Sequence, residues 1–278
     1  MVPSVSISIL VVAWVVCIFM LTKTQVFAVG FVATSESSAL EQEKKALLES
    51  KWCIDYSNDN LSHCKWYGIK CNDSGSNTEI NMEGPYLGNK FSKFNFSSFS
   101  NLVHLNLSRT RLMGSIPHEI CTLLKLTYLD LSQNHIIGEL PLSLPNLTQS
   151  VTFNIFDNLI TGSIPKELGN LKNLLDLILS NNHFIRTIPT GIGLLKNLLY
   201  LDLWQNKLTG LLPSSLGYLT NLASLFLFSN QINGSIPPEI GNMKNLNLLY
   251  LDNNKLIGLI PFSLGHLTSL VSLSLSSN

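Results

Sequence analysis

Charged residues are scarce in this sequence. Lys, Arg, Asp and Glu together make up 13% of its 278 residues, against roughly 25% in an average soluble protein. The 18 basic residues equal the 18 acidic residues, so the formal net charge is zero. A nucleic-acid-binding protein needs a surplus of basic residues to meet the phosphates. We therefore exclude that class of protein.

Motifs of catalysis are missing as well. The sequence contains no GxxxxGK[ST] phosphate loop, no GxSxG nucleophile turn, no HExxH zinc motif and no paired CxxC. Each of these motifs holds chemically active groups at a fixed spacing. The six His residues are scattered without the spacing of metal ligands. The sequence therefore predicts no enzyme active site, no metal site and no cofactor.

What the sequence has in abundance is a repeat. From Leu102 to Asn278 one pattern returns every 24 residues without insertion or deletion. We number the positions of each unit from 1. Position 1 holds Leu102, Leu126, Ser150, Leu174, Leu198, Leu222, Leu246 and Leu270, and position 9 holds Thr110, Asn134, Asn158, Asn182, Asn206, Asn230, Asn254 and Asn278. A period kept this strictly is typical of a solenoid built from stacked units.

The pattern LxxLxLxxN at the start of each unit predicts a short strand with one buried side. Successive strands would lie side by side in a parallel sheet, about 4.8 Å apart. The Asn at position 9 follows the strand, where its side-chain amide can bond the backbone of the neighbouring coil. Position 13 is Gly in every complete unit except the one that carries Arg186, as expected for a turn that a Cβ would hinder.

The N-terminal end predicts export. Val5 to Leu21 is apolar except for Ser6 and Ser8, and Val26-Phe27-Ala28 supplies small residues at the usual cleavage spacing. This is typical of a signal peptide that is cut after about Ala28. An uncleaved signal anchor is the alternative. Either would place the chain in the secretory pathway, where disulfides and glycans form.

Two features follow that we interpret as a cap over the first repeat. Ser38 and Glu41 have the spacing of a helix capping box, and Leu40 and Leu47 recur at helical spacing. In an exported chain, Cys64 and Cys71 around Trp66 predict a small disulfide loop. Cys53 could compete for either cysteine or remain free. Cys121, at position 20 of its repeat, is expected to be a free and packed thiol.

These features divide the chain into five parts. We assign 1–28 to the signal peptide, 29–78 to the N-terminal cap and 79–101 to a degenerate first repeat whose strand is Ile80-Asn-Met82. Seven full repeats span 102–269, and 270–278 begin an eighth.

The pattern LxxLxLxxNxLxGxIPxxLGxLxx, as in Leu222 to Asn245, resembles the plant-specific leucine-rich repeat. The loop from Cys64 to Cys71 with Trp66 resembles the N-terminal cap of plant receptor-like kinases and receptor-like proteins. The resemblance implies an α/β repeat fold, a right-handed solenoid with parallel strands on its concave face and a disulfide-bearing cap.

The same resemblance implies a function. Proteins of this family are displayed at the cell surface or secreted, and they bind peptides, other receptors or microbial proteins on the concave face. We expect a recognition ectodomain that is joined to a membrane and a kinase only through segments absent from this chain. The alternative is a secreted inhibitor of a microbial wall-degrading enzyme, similar to plant polygalacturonase-inhibiting proteins.

In such a fold the residues free to bind a partner are those the core does not constrain, which are positions 2, 3, 5, 7 and 8. Large aromatic residues concentrate there in the later repeats, and rigid aromatics are common anchors of recognition surfaces. The predicted anchors are Phe156, Tyr200, Trp204, Phe226, Phe228 and Tyr250. These aromatics can also be read as ordinary variation of the repeat.

All five Asp residues of the array fall on these exposed positions, namely Asp130, Asp157, Asp176, Asp202 and Asp252. Apart from His104, Arg109 is the only cation there. We therefore predict an acidic, aromatic binding face for a neutral or basic partner, with Asp157, Asp176, Asp202 and Asp252 among its residues. Asp130 and Asp202 at position 5 can also be explained as ordinary solvated residues.

Six Asn-x-Ser/Thr sequons predict glycosylation at Asn60, Asn72, Asn95, Asn106, Asn146 and Asn233. Asn106 occupies an inner strand position, so a glycan there would obstruct the early part of the face. This favours a contact region from Phe156 to Tyr250.

The eighth unit stops at Asn278, nine residues into the pattern. We expect an uncovered edge strand with Leu270, Leu273 and Leu275 on its apolar side, which would fray or self-associate. Hydrogen exchange of the chain should therefore be fast at Leu273 and Leu275. Slow exchange of these amides in a monomer would contradict the expectation.

Overall fold

The computed structural model describes residues 38–50, 52, 62–84, 86–88, 91 and 94–278. The predicted signal peptide, Cys53 and Asn60 lie outside these residues. The chain divides into a segment that ends at Lys45 and a second unit, Ala46–Asn278, which contains the whole repeat array. Residues 38–50 are helical, as the capping-box pattern and the spacing of Leu40 and Leu47 predict.

The strands are short. In chain order they are β1 (Ile69–Cys71), β2 (Asn77–Asn81), β3 (His104–Asn106), β4 (Met113–Gly114), β5 (Tyr128–Asp130), β6 (His135–Ile136), β7 (Thr152–Asn154), β8 (Asp176–Ile178), β9 (Ile185–Arg186), β10 (Tyr200–Asp202), β11 (Lys207–Leu211), β12 (Ser224–Phe226), β13 (Gln231–Gly234), β14 (Leu248–Tyr250), β15 (Lys255–Leu256) and β16 (Ser272–Ser274).

Ten of these strands form one sheet, in the order β1-β2-β3-β5-β7-β8-β10-β12-β14-β16. From β2 onward every pairing is parallel, and from β3 onward each residue lies opposite the one 24 positions later, as Leu201 lies opposite Leu225. The predicted solenoid of stacked parallel strands is confirmed. A second set of short strands, β9, β11, β13 and β15, forms a four-stranded sheet beside it, and β4 pairs with β6.

The apolar columns form one continuous core. Leu201, Leu203 and Leu208 of a single repeat are fully buried, and their equivalents in the neighbouring repeats are buried in the same way. Burial of a Leu side chain contributes about 1.5–3 kcal/mol. Because each unit has only a few such residues, it depends on the next unit to cover them, which explains why the repeat pattern admits so few departures.

The N-terminal cap is a hairpin that holds the predicted disulfide. Cys64 and Cys71 are bonded, with an S–S distance of 2.03 Å. Cys71 ends β1, which pairs antiparallel with β2, and β2 includes two residues of the predicted first strand, Ile80 and Asn81. Strand β1 was not predicted from the sequence. Although His63 lies close to both sulfurs, the disulfide occupies them and leaves no cysteine ligands for a metal.

The Asn residues at position 9 bond the backbone as predicted. The Nδ2 group of Asn206 donates to the Leu203 carbonyl in its own repeat and to the Leu179 carbonyl in the preceding one, at 3.2 and 3.1 Å. Its Oδ1 atom accepts from the amide of Phe184 at 3.0 Å. The same pattern recurs from Asn134 to Asn278. From Asn134 to Asn254 each Asn therefore joins two coils through buried polar groups, whereas Asn278 makes the same bonds at an exposed position.

The side opposite the strands is built from 3-10 helices. They span His63–Lys65, Phe96–Ser98, His118–Thr122, Leu144–Asn146, Lys166–Asn170, Thr190–Leu194, Ser214–Tyr218, Pro238–Asn242 and Phe262–His266. Gly217 allows neighbouring helices to approach closely, because a Cβ at this position would lie 2.2 Å from the Glu239 carbonyl oxygen. Cys121 occupies the equivalent position in the first full repeat, and it is a buried free thiol as predicted. Among the described residues no helix has the length and apolar character that a membrane span requires.

Arg186 takes the backbone conformation of the Gly that it replaces. Its φ angle is 67°, in the left-handed region, which costs a residue with a Cβ roughly 1–2 kcal/mol. Its side chain is exposed, and β9 still pairs with β11 at this residue. Arg186 is therefore a tolerated departure from the repeat pattern.

The Asn ladder leads to a stability prediction. Asn206→Ala should lower the free energy of unfolding by about 2–5 kcal/mol, because it leaves the buried Phe184 amide without a partner and removes one of the two Asn donors from each of the Leu179 and Leu203 carbonyls. Asn197→Ala is the matched control, since Asn197 makes one exposed bond, to the Lys172 carbonyl. We expect the control to cost about 1 kcal/mol or less. Urea denaturation followed by circular dichroism measures both, and equal losses would contradict the role assigned to the ladder.

Candidate functional site

The strand face is the outward surface of the ten-stranded sheet, formed by positions 3, 5 and 7 of the repeats. It carries all six predicted aromatic anchors, and the structure brings them into one connected group, the aromatic cluster. Its ring-centroid distances are 5.9 Å for Phe156–Trp204, 5.1 Å for Trp204–Phe228, 6.4 Å for Phe228–Tyr250, 5.2 Å for Tyr250–Phe226 and 5.4 Å for Phe226–Tyr200.

The repeat explains most of these contacts. Trp204 and Phe228 occupy position 7 of adjacent repeats, so their backbones are one strand spacing apart and their rings stack with an interplanar angle of 5°. Phe226 and Tyr250 occupy position 5 of adjacent repeats and lie opposite each other in the sheet. Aromatic pairs of this kind contribute about 0.5–1.5 kcal/mol beyond the burial of their surface.

One contact spans two repeats. Phe156 and Trp204 are separated by the repeat that carries Ser180 at the same position, and Ser180 is fully buried. Two strand spacings amount to about 9.6 Å, whereas the two ring centroids are only 5.9 Å apart. The two rings therefore lean toward each other over the small Ser side chain.

The aromatic cluster is held rigidly yet remains accessible. Phe226 is 9% exposed, whereas the other five rings are partly exposed. Rings that are packed on one side lose little conformational freedom when a partner binds on the other. The cluster therefore offers partly exposed rings whose positions are already set by their neighbours.

Three predicted carboxylates lie on or beside the strand face, and each accepts a hydrogen bond from a neutral group. Asp157 accepts from the side-chain amide of Asn181 at 2.6 Å, and Asp176 accepts from the Thr152 hydroxyl at 3.1 Å. Asp252 accepts from the side-chain amide of the adjacent Asn253 at 3.0 Å. The salt bridges of the described residues involve none of the three. Their negative charge is thus left uncompensated by a basic side chain.

Asp202 differs from these three, because it is only 5% exposed. Its Oδ1 atom accepts from the main-chain amide of Trp204 at 3.3 Å. The equivalent bond from position 5 to position 7 occurs at Asn106, Asp130 and Asn154. The explanation of Asp130 and Asp202 as solvated residues was therefore wrong. Both are buried, and their carboxylates fix the backbone where the strand ends.

Burial changes the protonation of this part of the face. It raises the pKa of Asp202 to about 6, because the ionised carboxylate loses its hydration. Burial and the nearby Asp202 charge raise the pKa of Tyr200 to about 12. Asp202 therefore changes its charge between pH 5 and pH 7, within a cluster of aromatic rings.

The early part of the face has a different character. His104 and Tyr128 stack with their centroids 4.1 Å apart, and the Tyr128 hydroxyl donates to Asp130 at 3.3 Å. Burial lowers the pKa of His104 and raises that of Tyr128 to about 12. Tyr128 was not among the predicted residues, although it shares position 3 of the repeat with Tyr200. Arg109 lies near Glu83, 3.4 Å away.

The predicted glycosylation sites differ in accessibility. Asn72, Asn95, Asn146 and Asn233 are exposed and lie outside the aromatic cluster. Asn106 is only 9% exposed, and its Oδ1 atom accepts from the Ser108 amide. A glycan at Asn106 would require this side chain to leave the sheet, so the expected obstruction of the early face has no support in the structure.

The repeats of this chain are similar to those of known proteins. The Leucine Rich Repeat family matches residues 101–123, 125–147, 197–219, 221–243 and 245–267. The Arabidopsis thaliana leucine-rich repeat receptor-like serine/threonine-protein kinase RGI4 is 34% identical over 114 residues, which cover 38% of this chain and 10% of the relative. Receptor-like protein kinase 7 of the same plant is 44% identical over 113 residues, covering 40% of this chain and 12% of the relative. The aligned segments thus span about a tenth of these relatives.

The fold is also similar to solved structures of plant receptor kinase ectodomains. The ectodomain of the Arabidopsis receptor kinase HAESA, solved with an IDA peptide hormone, aligns with a TM-score of 0.67 at 28% identity, covering 85% of this chain and 44% of that one. The ectodomain of the Arabidopsis thaliana receptor kinase GASSHO1/SCHENGEN3, in complex with CASPARIAN STRIP INTEGRITY FACTOR 2, aligns with a TM-score of 0.65 at 31% identity, covering 81% and 31%.

The buried carboxylate leads to a prediction about pH. Because the pKa of Asp202 is raised above its usual 3.8 to about 6, its contribution to stability is fully present below pH 4 and is lost as the pH rises through 6. Asp202→Asn keeps an acceptor for the Trp204 amide but cannot ionise. Relative to the wild type, the variant should gain roughly 1–3 kcal/mol between pH 4 and pH 7.

Urea denaturation at pH 4, 5, 6 and 7 measures this difference. Asp73→Asn is the control, because Asp73 lies in an exposed turn. If the stability difference between Asp202→Asn and the wild type does not change over this range, Asp202 does not titrate as stated.

Proposed function

We propose that this chain, a leucine-rich repeat solenoid similar to the ectodomains of plant receptor kinases, recognises a peptide or protein ligand on its strand face. The observation that carries the proposal is the aromatic cluster, six rings from four repeats in continuous contact. The proposed contact residues are Phe156, Asp157, Asp176, Tyr200, Asp202, Trp204, Phe226, Phe228, Tyr250 and Asp252. The core does not require aromatics at these positions, since Ser occupies position 7 in the repeats with Ser108, Ser132 and Ser180.

The similar ectodomains support a peptide or protein ligand. HAESA has been solved with the peptide hormone IDA and the co-receptor SERK1, and RGFR1 with the peptide hormone RGF2. A rigid parallel sheet suits such ligands, because an extended peptide can lie across several strands and contact one side chain from each. A second leucine-rich repeat receptor is a further partner that this comparison supports.

Several features support exposure at the cell surface. The disulfide between Cys64 and Cys71 is typical of an oxidising compartment. The exposed sequons at Asn72, Asn95, Asn146 and Asn233 leave the aromatic cluster free of glycans. We further propose that the chain acts in signalling by recognition alone, while any kinase activity belongs to segments like those that the relatives carry outside the aligned repeats.

A binding screen with matched variants tests the proposal. The full chain is immobilised and screened against synthetic extracellular plant peptides. The screen is repeated with the double variant Trp204→Ala/Phe228→Ala, which removes the stacked pair at the centre of the cluster. Tyr218→Ala is the control, since this exposed ring lies on a 3-10 helix outside the sheet and contacts Lys196.

We expect peptide ligands whose affinity falls at least about 30-fold in the double variant, because truncating one central aromatic anchor costs about 2 kcal/mol or more. The Tyr218→Ala control should bind like the wild type. Ligands that bind all three proteins equally would place recognition elsewhere. Inhibition of a wall-degrading enzyme by the chain, with no peptide bound, would favour the inhibitor alternative.

A further inference from the structure

On and beside the strand face, all charged side chains are negative from the third full repeat onward. Between residues 150 and 278, positions 2, 3, 5, 7 and 8 hold four carboxylates and no Lys or Arg. Three of these carboxylates are partly exposed and hydrogen-bond only to neutral groups among the described residues. A face of this kind attracts a cationic ligand and repels an anionic one.

Of the four carboxylates, Asp202 is the one whose ionised form a cationic partner would stabilise most. It is almost completely buried, and an ionised carboxylate held away from water is costly unless a cation accompanies it. The neighbouring strands supply none. On β8 the titratable group is Asp176, on its own strand β10 it is Tyr200, and β12 holds Ser224, Leu225 and Phe226.

Aromatic faces lie beside this carboxylate. Trp204 follows Asp202 by two residues and donates its main-chain amide to it, and the indole is stacked on Phe228. The face of an indole ring attracts cations, and a guanidinium group can stack on it while its N–H groups donate to a carboxylate. Asp202 and Trp204 together thus offer both interactions that arginine makes best.

We propose that Asp202, Trp204 and Phe228 form a subsite for an arginine side chain of the peptide ligand, and that binding this side chain draws a proton from Asp202. Asp176 and Asp252 provide the surrounding negative field. The inference rests on the proposed function, because it names the chemistry of the ligand for the same face. The released proton passes to solvent, and no covalent bond changes.

Proton release follows from linkage. Asp202 is half protonated near pH 6, and a guanidinium beside it favours the ionised form. The affinity should therefore fall as the pH drops from 7 to 5. One pH unit below a pKa of about 6 only about a tenth of the molecules are ionised, so we expect a decrease of about tenfold.

Isothermal titration calorimetry of the full chain provides the test. The probes are acetyl-tetraarginine amide, the same peptide with citrulline in place of each arginine, acetyl-tetraglutamate amide, and cellotetraose. Citrulline has nearly the shape of arginine but carries no charge. Each probe is titrated at pH 5 and pH 7 into the wild type, Asp202→Asn and Tyr218→Ala. Circular dichroism confirms that each variant is folded.

The arginine peptide should bind the wild type at least about tenfold more tightly than the citrulline peptide at pH 7, and about tenfold more weakly at pH 5. Tyr218→Ala should behave in the same way. Asp202→Asn should lose the pH dependence and most of the preference for arginine. At pH 6 the wild type should release protons on binding, detected as a dependence of the heat on the ionisation enthalpy of the buffer.

Equal affinity for the arginine and citrulline peptides would overturn the inference, as would tighter binding of tetraglutamate or cellotetraose. These comparisons use the wild type alone, so they remain decisive even if Asp202→Asn does not fold. If peptides from the screen bind through Trp204 and Phe228 without any preference for arginine, the inference fails while the proposed function stands.

Discussion

The hydrogen bonds that join each position-9 Asn to two adjacent coils hold the repeats of this protein together. Where the chain leaves a strand it must turn inside the core, and the turn leaves main-chain groups with no regular partner. The amide of Asn206 supplies them with both donor and acceptor atoms, and it does so across the boundary between two repeats. An Asp could not donate these bonds, and a Ser could not reach both coils. From Asn134 onward, the turns that follow the strands therefore depend on one side-chain type.

Because this bonding holds the repeats in step, positions 24 residues apart in the chain become direct neighbours across the sheet. A row of exposed positions can then vary without harm to the core, and large rings placed in that row touch one another. Trp204 and Phe228 stack for this reason. The side chains of the strand face can thus vary independently of the core packing that positions them.

Two opposing effects meet at Asp202, because its hydrogen bond stabilises the fold while the burial of its charge destabilises it. Its carboxylate fixes the main chain at Trp204, but it is almost completely buried there, and this burial raises its pKa to about 6. In the equivalent place Asn154 forms the same bond without a charge. An acidic residue where a neutral one would serve weakens the fold at neutral pH. It also provides a charge that a cationic ligand can use.

Residue types at fixed spacing are sufficient to predict the period, the parallel sheet and the Asn ladder. The spacing of Cys64 and Cys71 around Trp66 also predicts the disulfide, although Cys53 remained a competing partner at that point. The sequence also identified the six aromatic rings. Three features could be seen only in three dimensions: Phe156 and Trp204 meet across Ser180, Asp202 is buried rather than solvated, and β1 adds an antiparallel strand to the sheet. These outcomes depend on the sizes of side chains in neighbouring repeats and on the path of an irregular segment. A repeat pattern fixes where each residue stands, but contact and burial are set by how its neighbours fill the space around it.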